Sequence, residues 1–293
     1  MFRRDGPSRG AALLAAAIFS LSIAACASTP LPPTPQTPAD GVRVATYNVH
    51  YADMDDGLHA VRAHAEATVR ALQIIGADLF CLQEVCTSDY PDIVCPCPFR
   101  AELERLLPDY SWIAPRGASK LGSATPILYR ADRFFPICQG VEWFSPTPGI
   151  PDSTGWGNTL PRCLVWALFY DAAAHGHLLV ANVHLDHLSR RANRRALDRI
   201  AGFLAEHVSR YPIVLAGDFN EPAVGTARRV LDEHLDCALT LRDGPTFSGG
   251  LPLQIDAVYY SRELEPTHVA VLRDLPASAL ADHAPVVVDL RPR

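Results

Sequence analysis

The stretch Ile213–Glu221 constrains this chain more than any other part of its sequence. It reads Ile-Val-Leu-Ala-Gly-Asp-Phe-Asn-Glu, so an apolar run leads directly into polar residues. A short run rich in Ile, Val and Leu is typical of a strand that is buried on both faces. Gly217 permits a tight backbone turn at the end of that strand. The pattern therefore predicts a buried strand that ends on Asp218 and Asn220.

Two interpretations of Asp218 and Asn220 follow from this stretch. A carboxylate and a carboxamide held at a strand end can bind a hard divalent cation and orient a water molecule towards phosphorus. Asp and Asn are also common in turns after strands, where their side chains bond to the local backbone. Other features of the sequence are needed to distinguish a reactive site from a simple turn.

The composition is that of a globular protein. The chain has 293 residues, of which 48% are hydrophobic and 20% are charged, so it can bury a full core. The formal net charge of −6 argues against a broad basic surface that binds nucleic acid, but it does not exclude a local basic groove. We expect a monomer with one folded domain that spans residues 42–293.

The first 26 residues form a separate segment. Three arginines precede the apolar run Ala11–Ile23, which is too short to span a bilayer and ends in small residues before Cys26. This pattern resembles the signal peptide and lipobox of bacterial lipoproteins. The resemblance implies cleavage before Cys26, lipidation of its thiol and new amine, and a membrane anchor through acyl chains. A plain secretory peptide cleaved near Ala27 is the alternative.

Residues 27–41 connect this segment to the predicted domain. They are rich in proline, and a chain of that composition is extended and acts as a semi-rigid tether. Ala27 rather than Asp follows Cys26, which in a lipoprotein implies sorting to the outer membrane. We therefore expect a lipid-anchored protein of the cell envelope of a Gram-negative bacterium, facing the periplasm or the exterior.

Cysteines are frequent after Cys26. An exported domain meets oxidising conditions, so disulfides are expected among them. Cys81 lies within an apolar predicted strand and is the best candidate for an unpaired thiol. Cys86, Cys95 and Cys97 share one proline-rich loop, which predicts a bridge across that loop. A zinc site is the alternative, although the spacing is not a zinc pattern.

Apolar segments and breaker residues predict strands that alternate with a few long helices. The predicted helices cover 58–75, 99–107, 189–211 and 223–234. The predicted strands cover 42–47, 77–82, 110–114, 125–129, 134–144, 163–170, 177–183, 213–216, 254–260, 268–272 and 285–290. Mostly apolar strands with few helices between them indicate two packed sheets with the helices outside.

Polar residues gather at the ends of the predicted strands. The residues at or just after such an end are Asn48, Glu84, His184, Asp186, Asp218, Asn220, Asp256, Asp282 and His283. Loops at the strand ends of a rigid sheet are the usual place for a functional site. We therefore expect these side chains to converge when the chain folds.

Six short motifs contain these residues. They are Thr46-Tyr-Asn-Val-His50, Leu82-Gln-Glu-Val85, Asn182-Val-His-Leu-Asp-His187, Gly217-Asp-Phe-Asn-Glu221, Gln254-Ile-Asp-Ala257 and Asp282-His-Ala-Pro285. In type and order they resemble the motifs of the endonuclease/exonuclease/phosphatase superfamily, the deoxyribonuclease-I-like metal-dependent phosphohydrolases. The resemblance implies an α+β fold, a four-layer α/β/β/α sandwich of two mixed β-sheets flanked by helices, with the site at their rim.

The resemblance also implies roles for the acidic and amide residues. Glu84 matches the main metal ligand, Asn48 a second ligand or a residue that holds a water, and Asp282 a residue that holds the metal or its water. The implied ion is Mg²⁺, or Mn²⁺ in its place, because both accept oxygen ligands. A strand-end Asn48 that bonds its own backbone is the alternative. Asp218 would orient and deprotonate the attacking water, while Asn220 would fix that water or a phosphate oxygen.

The histidines have implied roles as well. Asp256 and His283 resemble a carboxylate–histidine pair, in which the carboxylate favours an imidazolium that stabilises the phosphate. His184 resembles a second histidine of the family, which contacts the phosphate or protonates the leaving oxygen. Asp186 and His187, from the same motif, are expected to hydrogen-bond the loop backbone.

Two further residues are predicted to bind the substrate. Arg162 lies in a segment that resembles one branch of the family, and a guanidinium can grip a phosphate through two hydrogen bonds. An arginine that merely caps a strand start is the alternative. Asn182 opens the motif that contains His184.

The function implied by the resemblance is Mg²⁺-dependent hydrolysis of phosphoesters by in-line attack of water, with an endonuclease-like activity. A sphingomyelinase-like phosphodiesterase acting on lipid head groups is one alternative. A non-catalytic binding protein of the envelope is another, but such proteins usually lose a metal ligand or the histidine pair.

Overall fold

The computed structural model describes residues 40–50, 57–85, 98–115, 125–158, 160–275 and 281–293. The predicted signal peptide, Cys26, most of the predicted tether and the cysteine-rich loop lie outside these ranges. Cys81 lies inside them and is a free, buried thiol, as predicted. None of the helices within these ranges has the length and apolar character needed to cross a membrane.

The described residues form α-helices and β-strands in an alternating order. The helices are α1 (Gly57–Ile75), α2 (Pro98–Leu106) and α3 (Arg190–His207). The strands are β1 (Val42–Asn48), β2 (Leu79–Gln83), β3 (Tyr110–Ile113), β4 (Ile127–Arg130), β5 (Phe134–Trp143), β6 (Cys163–Asp171), β7 (Gly176–His184), β8 (Ile213–Asp218), β9 (Asp236–Cys237), β10 (Asp256–Tyr260), β11 (Leu264–Val271) and β12 (Val286–Pro292).

The strands build two mixed sheets of six strands each. The first sheet has the order β11-β12-β1-β2-β4-β3, and the second has the order β5-β6-β7-β8-β10-β9. Each sheet contains one parallel pair at its centre, β1–β2 in the first and β7–β8 in the second. The other neighbouring strands run antiparallel.

Three buried apolar clusters separate the layers. The central cluster joins the inner faces of the sheets, for example Val44 and Val288 of the first with Val180 and Val258 of the second. A second cluster packs α1 and α2 on the outer face of the first sheet. A third packs α3 on the outer face of the second sheet. This arrangement confirms the predicted four-layer α/β/β/α sandwich.

The parallel pairs bring functional residues to one edge of each sheet. Asn48 at the end of β1 lies opposite Gln83 at the end of β2, so Glu84, the next residue, lies beside Asn48. In the second sheet, His184 at the end of β7 lies opposite Asp218 at the end of β8. Strands that run parallel end at the same edge, which is why motifs far apart in the sequence meet there.

Asp256, Asp282 and His283 reach this edge differently from the prediction. They do not follow strand ends: Asp256 is the first residue of β10, and the other two precede β12. Because β10 runs antiparallel to β8, and β12 runs antiparallel to β1, their beginnings meet the ends of those strands. Asp256 consequently pairs with Asp218 across the sheet.

The prediction of a helix at 223–234 is wrong. A single 3₁₀ helix, Ala227–Leu231, takes its place. Gly225 lowers the helix propensity of the first turn, and its backbone amide donates to the carbonyl of Pro222 in a local turn, while that of Ala223 donates to the carbonyl of Gln254. The strand β9 was not predicted, because two residues are too short to show an apolar period.

Gly217 has a different role from the predicted tight turn. It lies inside β8 at a φ of +149°, and a Cβ there would lie 2.0 Å from the carbonyl oxygen of Val183 on β7. The glycine therefore permits close approach of two backbones next to Asp218. We expect Gly217→Ala to lower the free energy of unfolding by about 3 kcal/mol, because the clash is with backbone and the φ is unfavourable.

Urea denaturation measures this effect, with Gly202→Ala as the matched control. Gly202 lies on the exposed face of α3, and a Cβ there meets nothing within 4 Å. The same substitution should therefore raise the free energy of unfolding by about 0.5–1 kcal/mol at this helical position. Equal midpoints for Gly217→Ala and the wild type would contradict the backbone clash.

Candidate active site

Residues at the shared edge of the two sheets enclose a cavity of about 260 Å³. Eight of the predicted site residues line it: Asn48, Glu84, Arg162, His184, Asp218, Asn220, Asp282 and His283. His50, Leu160, His187 and Phe247 complete the lining. Asp256 is buried behind His283. The predicted convergence of the strand-end residues is therefore observed.

Three of the lining residues have a left-handed backbone. Their φ values are +50° for His50, +58° for Glu84 and +48° for Asn220. Residues with a side chain adopt this region rarely, and such strain persists only where the surrounding structure imposes it. At Asn220, the side-chain amide donates to the carbonyl of Leu185 at 3.0 Å. The fold thus fixes these side chains in unusual directions at the cavity.

Asp218 is a fully buried carboxylate at the base of the cavity. Its Oδ2 accepts from Nδ2 of Asn48 at 3.2 Å, and its Oδ1 accepts from the backbone amide of Asn220 at 2.9 Å. Burial and the charge of Asp256 raise the pKa of Asp218 to about 7, against the opposing effect of His283. A carboxylate with a pKa near neutrality is suited to accept a proton from water.

Asn48 holds two carboxylates in place. Its Nδ2 donates to Oε1 of Glu84 at 3.1 Å as well as to Asp218. Its Oδ1 accepts the backbone amide of His50 at 3.1 Å, which leaves one lone pair on that oxygen. The bonds observed therefore assign Asn48 first to positioning Glu84 and Asp218, rather than to the predicted role of a direct metal ligand.

His283 and Asp256 form the expected carboxylate–histidine pair. Nδ1 of His283 lies 2.9 Å from Oδ2 of Asp256. Burial alone would lower the pKa of His283, but the charge and hydrogen bond of Asp256 raise it to about 10. His283 is therefore an imidazolium at neutral pH. Its Nε2 lies 3.7 Å from Oδ2 of Asp218 and faces the cavity.

Arg162 fixes the tautomer of His184. Nη1 of Arg162 lies 2.8 Å from Nδ1 of His184, and both side chains are buried. A guanidinium has donors and no acceptor, so Nδ1 must accept and the ring proton must be on Nε2. That nitrogen lies 3.5 Å from Oδ2 of Asp218. Burial, and next the charge of Arg162, place the pKa of His184 well below its usual value, so the ring is a neutral donor.

His187 receives the second arm of the same guanidinium. Its Nδ1 lies 3.4 Å from Nη2 of Arg162. The bonds to loop backbone that were predicted for both residues are observed for Asp186, whose Oδ1 accepts from the amides of Leu188 at 3.0 Å and Ser189 at 2.7 Å. Asp186 therefore shapes the turn that leads into α3.

Asn182 does not line the cavity. It is fully buried between the sheets, and its Nδ2 donates to the carbonyls of Leu82 at 2.8 Å and Pro126 at 2.9 Å. Its Oδ1 accepts from Nε2 of Gln83 at 2.8 Å. The predicted role in substrate binding is replaced by a structural one, because these bonds join the two sheets beneath the site.

Glu84 and Asp282 fit a divalent cation. Oδ1 of Asp282 is buried and has no hydrogen-bond partner among the described residues, and such a group usually has a partner in a folded protein. Nδ1 of His50 lies 3.6 Å from this oxygen and 3.9 Å from Oε2 of Glu84. Two carboxylates that face one polar cavity are suitable ligands for Mg²⁺ or Mn²⁺.

A second group of potential ligands lies deeper. Asp218, Asp256 and His283 bring one ligand atom each within 4.8 Å of one another. The bond from His283 to Asp256 occupies one ring nitrogen, and a ring that is protonated on both nitrogens cannot bind a metal. The donors at Glu84 and Asp282 are therefore the better match for a cation.

Sequence reasoning assigned no role to His50, Leu160 or Phe247. The ring of Phe247 lies against His283, with centroids 4.9 Å apart. It belongs to an irregular loop between β9 and β10, where no apolar period identifies it. The adjacent pair Gly249 and Gly250 was the available signal, because glycines mark close packing of a loop. A Cβ on Gly249 would overlap the carboxylate of Asp282.

Comparison with known proteins supports the fold and identifies the family. The model of the Endonuclease/Exonuclease/phosphatase family matches residues 45–283. A structure of an endonuclease/exonuclease/phosphatase from Bacteroides vulgatus is 23% identical, with a TM-score of 0.74 over 86% of this chain and 99% of that chain. The mannosyl-6-phosphatase of Bacteroides thetaiotaomicron is 23% identical, with a TM-score of 0.70 over 85% of this chain and 99% of that chain.

An uncharacterised protein of Acanthamoeba polyphaga mimivirus is 28% identical over 120 residues, which are 39% of this chain and 44% of the viral protein. The match thus spans less than half of that protein. The family model, by contrast, extends from within β1 to the histidine before β12 and includes every residue that lines the cavity. On this evidence, the chain belongs to the Endonuclease/Exonuclease/phosphatase family.

Proposed function

We propose that this chain is a divalent-metal-dependent hydrolase of phosphoester bonds that acts by in-line attack of water. One observation carries the proposal. A buried carboxylate with a pKa near 7, Asp218, shares a cavity with the imidazolium of His283 and with a carboxylate oxygen of Asp282 that has no hydrogen-bond partner among the described residues. A base, a cationic donor and an oxygen ligand for a cation are the parts that this reaction needs.

Each residue has a defined task in this reaction. Asp218 accepts a proton from the attacking water, and Asn220 and Asn48 hold its carboxylate in orientation. Glu84 and Asp282 hold the cation, which would neutralise charge on the phosphate oxygens. The Nε2 protons of His283 and His184 point into the cavity and donate to phosphate oxygens, where negative charge grows. His184 acts as a neutral donor, since Arg162 occupies its other nitrogen.

Arg162 is expected to act through His184. Arg162→Lys retains the charge, but a shorter ammonium cannot donate in two fixed directions to two imidazoles. We expect kcat to fall about 10–100-fold, as for other groups that orient a reacting side chain. The ¹⁵N resonances of the imidazoles should show that His184 no longer has its proton only on Nε2.

The matched control for this prediction is Arg70→Lys, because Arg70 is exposed on α1. That variant should keep the wild-type kcat. If Arg162→Lys raises KM alone and leaves the His184 tautomer unchanged, Arg162 grips the phosphate, as the sequence predicts, and does not position His184.

A neighbouring groove favours a substrate with more than one negative charge. The groove has a volume of about 490 Å³, is lined by Arg190 and Arg194, and shares His187 and Asn220 with the cavity. Two guanidiniums next to the reacting phosphate favour a second phosphate of the same substrate. We therefore propose an endonuclease-like phosphodiesterase as the finer function.

Exposed apolar residues favour a second candidate. The side chains of Leu188, Val224 and Leu251 are 70%, 74% and 75% exposed. Leu188 lies in the loop after β7, Val224 in the loop after β8, and Leu251 in the loop before β10. Leu188 and Val224 line the neighbouring groove together with the arginines. An apolar rim beside basic residues suits an amphiphilic substrate, so a phosphodiesterase for lipid head groups is the alternative.

A substrate panel tests both candidates. It consists of single-stranded and duplex DNA, RNA, sphingomyelin in vesicles, mannose 6-phosphate and bis-p-nitrophenyl phosphate, each with Mg²⁺, with Mn²⁺ and with chelator. Cleavage of DNA or RNA supports the first candidate, and cleavage of sphingomyelin supports the second. Release of phosphate from the sugar phosphate alone would replace both with a phosphomonoesterase. No cleavage, with no cation bound in calorimetry, would support a binding protein instead.

We also propose that the enzyme is anchored in the cell envelope through Cys26. The support is the apolar run and the small residues before this cysteine. Metabolic labelling with a fatty acid should label the wild type and not Cys26→Ser, which should leave the membrane fraction. A labelled, membrane-bound Cys26→Ser variant would exclude this anchor.

A further inference from the structure

We propose that His50 is a nitrogen ligand of the cation held by Glu84 and Asp282, and that it makes the site prefer Mn²⁺ to Mg²⁺. The inference rests on the cation site of the proposed function and extends it to the identity of the ion. The sequence contains His50 within its first motif, but its chemistry follows from its place in the fold.

The ring of His50 lies beside both carboxylates. One nitrogen, Nδ1, lies near both carboxylates, at 3.6 Å from Oδ1 of Asp282 and 3.9 Å from Oε2 of Glu84. The Asp282 oxygen is the buried atom that has no hydrogen-bond partner among the described residues. A cation bound by the two carboxylates would therefore also lie beside Nδ1 of His50.

The backbone that carries the ring is held by its neighbours. His50 has a φ of +50°, which is uncommon for a residue with a side chain. Its amide donates to Oδ1 of Asn48 at 3.1 Å. The preceding residue, Val49, is held on both sides: its amide donates to the carbonyl of Gln83 at 3.1 Å, and its carbonyl lies 2.8 Å from Nε2 of His64. This network fixes the backbone of His50 before any cation arrives.

The other histidines that line the cavity are placed differently from His50. His184 and His187 each use Nδ1 to accept from Arg162, so each has its proton on Nε2. Nδ1 of His283 is bonded to Oδ2 of Asp256 at 2.9 Å. In each of these three rings, Nδ1 is therefore directed at a group other than Glu84 and Asp282, whereas Nδ1 of His50 lies within 4 Å of both carboxylates.

A nitrogen ligand changes which ion the site favours. Mg²⁺ prefers oxygen ligands and retains its waters, while imidazole suits the first-row transition metals, of which Mn²⁺ also accepts carboxylates. A site with two carboxylates and one imidazole should therefore bind Mn²⁺ in preference to Mg²⁺. Replacement of the imidazole by a side chain without an aromatic nitrogen should remove this preference and leave binding by the carboxylates.

The test measures cation binding without substrate. Isothermal titration calorimetry gives the Kd of Mn²⁺ and of Mg²⁺ for the whole protein and for His50→Asn, since Asn tolerates a left-handed backbone. We expect the variant to bind Mn²⁺ about tenfold more weakly and to keep its Mg²⁺ affinity within about twofold. Pulsed EPR of the Mn²⁺ complex should show coupling to a bound ¹⁴N nucleus in the wild type and none in His50→Asn.

His175→Asn is the matched control. His175 is exposed on the turn between β6 and β7, and its φ of +52° is almost that of His50. This variant should keep both affinities and the nitrogen coupling. Equal weakening of Mn²⁺ and Mg²⁺ in His50→Asn, or coupling that persists in it, would overturn the proposal and leave the carboxylate site intact. No binding of either ion by the wild type would refute the cation site itself.

Discussion

Replacement of Asp218 by asparagine is expected to lower kcat by about 10²–10⁴-fold, the usual contribution of a positioned general base. Asparagine has nearly the same shape and can still accept the backbone amide of Asn220, so the local structure should remain. It cannot accept a proton from water, which is the task assigned to Asp218. Steady-state kinetics on bis-p-nitrophenyl phosphate, or on whichever substrate the panel identifies, measures the loss.

The pH dependence of the wild type tests the same assignment. Because burial and Asp256 raise the pKa of Asp218 to about 7, the base is protonated below that pH, and kcat/KM should fall as the pH falls through it. Asp218→Asn should show no such limb. Asp198→Asn, which changes an exposed carboxylate on α3, is the control and should retain the wild-type profile.

The stability of Asp218→Asn shows whether a loss of activity comes from lost chemistry or from unfolding. A raised carboxylate pKa means that the folded state disfavours the ionised form, so Asp218 lowers stability as the pH rises from its unfolded value through about 7. In chelator above that pH, Asp218→Asn should therefore be at least as stable to urea as the wild type. Full activity in this variant would exclude Asp218 as the base.

The sequence was sufficient for the layers of the fold and for most of the site. Buried runs such as Ile213–Ala216 have an apolar pattern that is typical of a strand buried on both faces. The polar residues that follow these runs mark the edge of the sheet. The resemblance then assigned these residues to one family. Eight of the predicted residues do line one cavity.

The parts that the sequence did not reveal depend on contacts between distant segments. Asn182 belongs to a recognisable motif, yet its amide joins the two sheets through Leu82 and Pro126, which no local pattern indicates. Arg162 is a plausible phosphate ligand until the structure shows both of its arms directed at imidazoles. The segment 223–234 has an apolar spacing typical of a helix, but the bond from Ala223 to the Gln254 loop prevents it.

The pair formed by Asp256 and His283 gives the second large expected effect on kcat. Asp256→Asn is expected to lower kcat by about 10²–10³-fold, the usual effect of losing one group that stabilises charge in the transition state. Asparagine can still accept a hydrogen bond from Nδ1 of His283, so the ring should keep its position. What the variant loses is the negative charge that keeps His283 protonated.

The loss in Asp256→Asn should depend on pH with a definite sign. In the wild type, the pKa of His283 is about 10, so the ring stays cationic, and activity that needs the cation is lost only as the pH rises through that value. Without the charge of Asp256, burial dominates and the pKa of His283 falls. The alkaline limb of kcat/KM should therefore move to lower pH, and the defect should grow from about pH 6 to about pH 9. A defect of equal size across that range would show that Asp256 supports the fold and does not set the charge of His283.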